Sequence, residues 1–142
     1  MIFGSFIEHV GECVHDGIWA YSKTSLPLAD NPELDKVRRD LLYLTMNLRP
    51  AVLRWPGGCF ADTYHWKDAI GPQSTRKKVA NTFWQDWGNQ LMKGVASLPR
   101  TPSDSQSAKE FNRKIGHDVH NQFGTLEFLA FCEEVLAIPY IT

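Results

Sequence analysis

The period of apolar positions changes several times along this chain, and each change marks an element. Met1-Ile-Phe-Gly-Ser-Phe-Ile7 is short, apolar and rich in β-formers, which suits a buried strand better than a helix. Residues 10–30 hold scattered Gly and Pro with no sustained period and read as a loop. Asn31-Pro32-Glu33 then has the signature of a helix start. Asn can accept a backbone N–H as N-cap, Pro is preset for the first turn, and Glu suits the positive end of the helix dipole. Leu34, Val37, Leu41, Leu44 and Leu48 follow at helical spacing and predict an amphipathic helix of about four turns. Arg49-Pro50 ends it, because the residue before proline is pushed out of the helical region. Ala51-Val-Leu-Arg-Trp55 is a second short strand, and Pro56-Gly57-Gly58 forces a turn after it.

From Cys59 to about Asn121 no period is clear. Gly88 to Gly116 in particular is polar and interrupted by breakers, with Pro99, Pro102 and a Ser-rich run from Ser103 to Ser107. Gly124-Thr125 opens another helix, with Thr125 as N-cap and Leu126, Leu129, Cys132, Val135 and Leu136 directed inward. Ile138-Pro-Tyr-Ile-Thr142 begins a third strand. The order is strand, helix, strand, long loop, helix, strand, the βαβαβ pattern of an α/β protein with a parallel sheet covered by helices. A complete doubly wound domain or a (β/α)8 barrel of about 250 residues needs more strands than these three.

Composition narrows the function. Hydrophobic residues make up 43% and charged residues 22% of the 142, with a net charge of −1, which fits a soluble globular protein and gives no basic face for nucleic acid. The one basic cluster, Arg76, Lys77 and Lys78, reads as a solvated loop. Cys13, Cys59 and Cys132 are odd in number and widely spaced, which suits neither a disulfide framework nor a zinc site. The five histidines form no His-x-x-x-His pair, so neither metal nor cofactor is expected. No run of 18 apolar residues and no basic segment followed by an apolar stretch occurs, so neither a membrane partner nor export is expected, and the cytoplasm is the expected compartment.

In a parallel sheet of this kind, working groups sit just past the C-terminal ends of strands. Glu8-His9 follows the first strand. Arg54-Trp-Pro-Gly-Gly-Cys59, with Asp62, Tyr64, His65 and Trp66, follows the second. Gly57 and Gly58 allow backbone to approach a ligand closely, Arg54 offers a fork of donors, and the aromatic rings can wall a sugar pocket. Each has a plainer reading as well: Glu8 as a loop cap, Arg54 as a structural strand-end arginine, His65 and Trp66 as packing. Cys59 has no Cys-His-Asn set at recognisable spacing that would make it a nucleophile.

Three segments resemble glycoside hydrolase family 51. They are Phe3-Gly-Ser-Phe-Ile-Glu-His-Val-Gly11; Leu53-Arg-Trp-Pro-Gly-Gly-Cys-Phe-Ala-Asp-Thr-Tyr-His-Trp-Lys-Asp68 with Ile70-Gly-Pro72; and Phe123-Gly-Thr-Leu-Glu-Phe128 with Pro139-Tyr-Ile141. The likeness covers residues 1–84 and 121–142, in that family's order. It implies that residues 1–142 are the N-terminal part of a (β/α)8 barrel, the first βαβαβ portion with a long loop after strand two. The implied activity is retaining, exo-acting release of terminal α-L-arabinofuranose from arabinan and arabinoxylan side chains, in a homo-oligomeric parent enzyme without cofactor. The resemblance makes Glu8 a binder of sugar hydroxyls and Arg54 an orienting residue beneath the site. It puts Cys59 beside the furanose, while His65 and Trp66 are candidates for sugar contact on their residue types alone. The family's acid/base and nucleophile glutamates follow strands four and seven, so no catalytic residue is assigned here and the 142 residues alone are expected to be inactive. Retaining hydrolysis needs two carboxyl groups about 5 Å apart, and Glu8, Asp62 and Asp68 supply no such pair from sequence. Two rival expectations are a non-catalytic carbohydrate-binding fragment and a related barrel glycosidase acting on xylan or glucan. Two features depart from the family pattern: residues 85–120, which read as an insertion or anomalous loop, and Ala69, where Gly is common.

Overall fold

The computed structural model describes residues 3–21, 29–95, 110 and 115–142. Among them are β1 (Gly4–Phe6), α1 (Arg39–Leu48), β2 (Val52–Trp55), α2 (Thr82–Val95), α3 (Thr125–Glu134) and β3 (Ile138–Ile141). Short 3-10 turns occupy Pro32–Leu34, Cys59–Thr63, Trp66–Ala69 and Gln73–Thr75. β2 is central and pairs in parallel with both neighbours, Phe6 lying opposite Arg54 and Arg54 opposite Tyr140. The sheet is therefore α/β in the expected sense: parallel neighbours need a crossover, and helices provide it.

Side chains alternate along β2, and only one face is sealed. Leu53 and Trp55 are buried, while Val52 and Arg54 are half-buried on the other side. Trp55 stacks on Phe128 at 5.4 Å and meets Phe123 edge-on at 6.4 Å. Trp19, Leu34, Val37, Leu42, Phe131 and Val135 complete this core. Each large side chain so buried contributes about 1.5–3 kcal/mol.

Several expectations are corrected. The first strand is three residues long and exposed, because β1 is an edge strand and both of its faces are accessible. The first helix does not start at Asn31. Pro32–Leu34 makes a 3-10 turn and the α-helix begins at Arg39. The reason lies in the hydrogen bonds of the preceding loop: Ala20 N–H donates to Lys36 O and Ala29 N–H to Val37 O, both at 2.8 Å, and Val37 bridges Trp19. Those carbonyls are committed to cross-chain bonds and cannot serve a helix. Leu34 and Val37 do enter the core, but Leu42 takes the inward place while Leu44 and Leu48 are exposed. The helix ends as expected, with Arg49 left-handed at φ 50° and its N–H on Thr45 O, just before Pro50.

The stretch read as aperiodic contains α2. Asn81 Oδ1 accepts the Trp84 N–H at 3.3 Å and caps the first turn, and Gly88 does not interrupt the helix. Phe83, Trp87 and Leu91 supply the helical period. Val119 pairs antiparallel with Val79, their N–H groups donating reciprocally at 2.8 Å, so the segment before α3 returns beside the segment before α2. Residues 96–109 and 111–114, with Pro99, Pro102 and the Ser-rich run, lie outside the described residues. In α3 the N-cap is Gly124 rather than Thr125, and the buried face is Glu127, Phe128, Phe131, Cys132 and then Val135. Leu126, Leu129 and Leu136 point outward.

Candidate functional site

Glu8 lies two residues past the end of β1 and is buried, with its carboxylate Oε1 accepting the Gly58 N–H at 3.1 Å. The turn after β2 lies flat against it. A Cβ on Gly57 would come 2.5 Å from both Cγ and Oε1 of Glu8, so only glycine leaves room for that carboxylate. Ile7 N–H donates to Arg54 O at 2.7 Å and Thr142 N–H to Trp55 O at 3.1 Å, which aligns the ends of all three strands beside this turn. Arg54 lies on the open face, its guanidinium 5.8 Å from the Phe6 ring centroid and its Nε buried.

The next residue, His9, is not a surface partner for Glu8. It is buried among Tyr64 at 5.3 Å, Phe60 at 5.5 Å and Trp55 at 5.9 Å, and its carbonyl accepts the Asn81 amide at 2.8 Å. Burial, with His15 nearby, pushes its pKa down to about 3, so the ring is neutral. Burial likewise raises the Tyr64 hydroxyl well above its ordinary value. The Tyr-His-Trp run therefore splits: Tyr64 packs inward on His9 and Trp55, while His65 and Trp66 are exposed. Cys59 is exposed as well, next to the Glu8-bonded Gly58. A cavity of about 470 Å³ opens behind this wall, lined by Phe60, Asp62, Tyr64, His65, Asp68 and Asn81 among others.

Two residues that sequence reasoning assigned to no site form a buried network. Arg76, read as part of a solvated cluster, is corrected: its side chain is 3% exposed and holds Glu127, itself 7% exposed, through paired 2.9 Å bonds. The guanidinium also donates to the carbonyls of Gly71, Asn121 and Gln122. Lys77 and Lys78 remain exposed, Lys78 beside Asp118 at 3.1 Å. The signal for the pair was weak, since Arg76 shares its neighbourhood with two solvated lysines.

A second cluster joins His15 to His117 in a parallel stack at 4.3 Å, with His120 edge-on at 5.2 Å. Among the described residues no group of three His, Cys, Asp or Glu is arranged to hold a metal ion.

Comparison with known proteins gives a consistent result. Residues 44–142 match the family model described as the alpha-L-arabinofuranosidase 1 domain. The chain is 34% identical over 141 residues to an intracellular exo-alpha-L-arabinofuranosidase of Bacteroides ovatus, covering 99% of this chain and 21% of that protein. It is 31% identical over 140 residues to alpha-L-arabinofuranosidase C of Emericella nidulans, covering 99% of this chain and 20% of that one. Among solved structures, the family 51 arabinofuranosidase of Xanthomonas axonopodis pv. citri superposes with a TM-score of 0.69 at 28% identity, over 99% of this chain and 21% of that chain. The Thermotoga maritima enzyme, in an arabinose complex, gives 0.67 at 28%, with the same coverage of each chain. The chain thus spans about a fifth of the length of these relatives.

Proposed function

This chain belongs to the alpha-L-arabinofuranosidase family, and on that premise we propose that the whole protein hydrolyses terminal α-L-arabinofuranosyl groups of arabinose-containing oligosaccharides and polysaccharides, inside the cell. The three parallel strands are then the opening βαβαβ portion of a (β/α)8 barrel, and the turn joining Glu8 to Gly58 is one wall of its sugar pocket. The observation that carries the reading is this carboxylate, buried and fixed past the C-terminal ends of β1 and β2, where barrel enzymes build their sites.

In this proposal Glu8 accepts hydrogen bonds from furanose hydroxyls, Arg54 orients the site from the open sheet face, and Cys59 lies alongside the ring. Exposed His65 and Trp66 contact the sugar from the 59–69 loop, a flat indole being suited to stacking on a sugar ring. The bond-breaking pair of a double displacement, two carboxyl groups about 5 Å apart, is assigned to no residue of this chain.

The test is release of the aryl group from an aryl α-L-arabinofuranoside by the full-length protein, run beside the xyloside and glucoside. The arabinofuranoside should be cleaved with retention and the others spared; preference for the xyloside or glucoside, or an inverted first product, would overturn the assignment. The 142 residues alone should show no turnover.

A further inference from the structure

We infer that Arg76 and Glu127 are positioning residues: they clamp the far end of the loop that carries Cys59, His65 and Trp66, and so set where those side chains meet the sugar. This rests on the arabinofuranosidase reading and extends it to a pair remote from the turn at Glu8.

Besides the packing of Phe60 and Tyr64 on His9 and the pairing of Val79 with Val119, the loop between β2 and α2 is tied by hydrogen bonds on either side of its exposed segment. Its near end is tied by the Gly58 N–H on Glu8. Its far end is tied to the N-terminus of α3. Arg76 spans Gly71 O, Asn121 O, Gln122 O and both oxygens of Glu127, every contact at 2.9 or 3.0 Å. Glu127 in turn accepts the Gln73 amide at 3.2 Å and the Gly124 N–H at 2.9 Å. Ala69 is pressed flush on the same point, since a Cβ on Gly124 would lie 2.5 Å from its carbonyl oxygen. The intervening turns, Cys59–Thr63 and Trp66–Ala69, present Cys59, His65 and Trp66 to solvent.

A buried ion pair is a poor device for stability alone, because desolvating two charges offsets most of their attraction and apolar residues of similar size do as well. What the fork supplies is geometry. A guanidinium with its planar donors committed to three carbonyls and a carboxylate has one position, and it fixes the loop against α3 to match. Lysine has the charge without the fork.

The experiment uses the full-length protein carrying Arg76→Lys, Glu127→Gln or Gln73→Leu, compared with wild type at a temperature where near-ultraviolet dichroism shows all of them folded. For the first two, KM for the aryl arabinofuranoside should rise about fivefold or more while kcat stays within about twofold, the signature of a displaced binding wall. Gln73→Leu should give a smaller rise in the same direction. Amide exchange across 59–69 should quicken in the first two while that of β2 does not. Lowered melting with unchanged KM and unchanged exchange in 59–69 would reduce the pair to a structural role and overturn the inference. If wild type fails to cleave the arabinofuranoside, the functional reading has failed, and the exchange of 59–69 alone decides whether the clamp exists.

Discussion

On one face of β2, Leu53 and Trp55 are 2% and 0% exposed, closed in by Phe123, Phe128 and the loop before α1. On the other, Val52 and Arg54 are half-buried, and Arg54 stands between Phe6 and Tyr140, which are 53% and 54% exposed. The same four-residue strand thus supports a finished hydrophobic layer and an accessible one. The closed face carries stability through packing density, while the open face and strand ends leave polar and aromatic groups accessible to solvent. Glu8 sits where the two meet, its carboxylate on the glycine turn while the adjacent His9 ring joins the aromatic layer.

Substitutions can break this contrast. The largest effect is expected from Trp55→Ala, which empties the centre of the closed face and should lower unfolding free energy by about 3–5 kcal/mol in chemical denaturation. Acid should act on the same layer through His9. Its folded pKa, near 3, lies below the unfolded value, so the unfolded chain binds the extra proton as pH falls. The stability this neutral ring contributes is complete above about pH 6.5. It is lost at up to about 1.4 kcal/mol per pH unit as pH falls toward 3, and His9→Phe should remove that slope from denaturation curves measured across the interval.

Gly57→Ala probes the boundary. Its methyl would overlap Glu8, and overpacking of this kind costs about 1–3 kcal/mol. In the full-length protein it should also raise KM for the arabinofuranoside, because Glu8 must leave the turn. The smallest effect is expected on the open face: Phe6→Ser in this chain removes a ring that is only half covered and should cost about 1 kcal/mol. A loss as large as that of Trp55→Ala would mean the two faces are not different after all.

The three strands and the helices before β2 and β3 were legible because they depend on local period and on breakers, as at Arg49-Pro50 and Pro56-Gly57. The Glu8 and Arg54 to Trp66 segments stood out because polar groups past strand ends are placed by topology alone. What sequence misjudged were boundaries and faces. Asn31-Pro32-Glu33 is a sound helix start by local chemistry, yet the carbonyls of Lys36 and Val37 are claimed by Ala20 and Ala29. α2 was hidden because its apolar period, Phe83, Trp87 and Leu91, surrounds a glycine and polar residues. In α3, packing of Phe128 on Trp55 and of Phe131 on Phe123 put those rings inward in place of Leu126 and Leu129.

By itself, then, the sequence determined the α/β class, the three strand segments and their parallel pairing, since these follow from patterns within a few neighbours of each residue. Only the tertiary structure decided which side of β2 closes, that His9 is neutral in an aromatic layer, and that Arg76 is a buried partner of Glu127 rather than a solvated cation. Each of those depends on groups distant in sequence coming together to exclude water, and a local pattern of residue types does not encode which distant group will arrive.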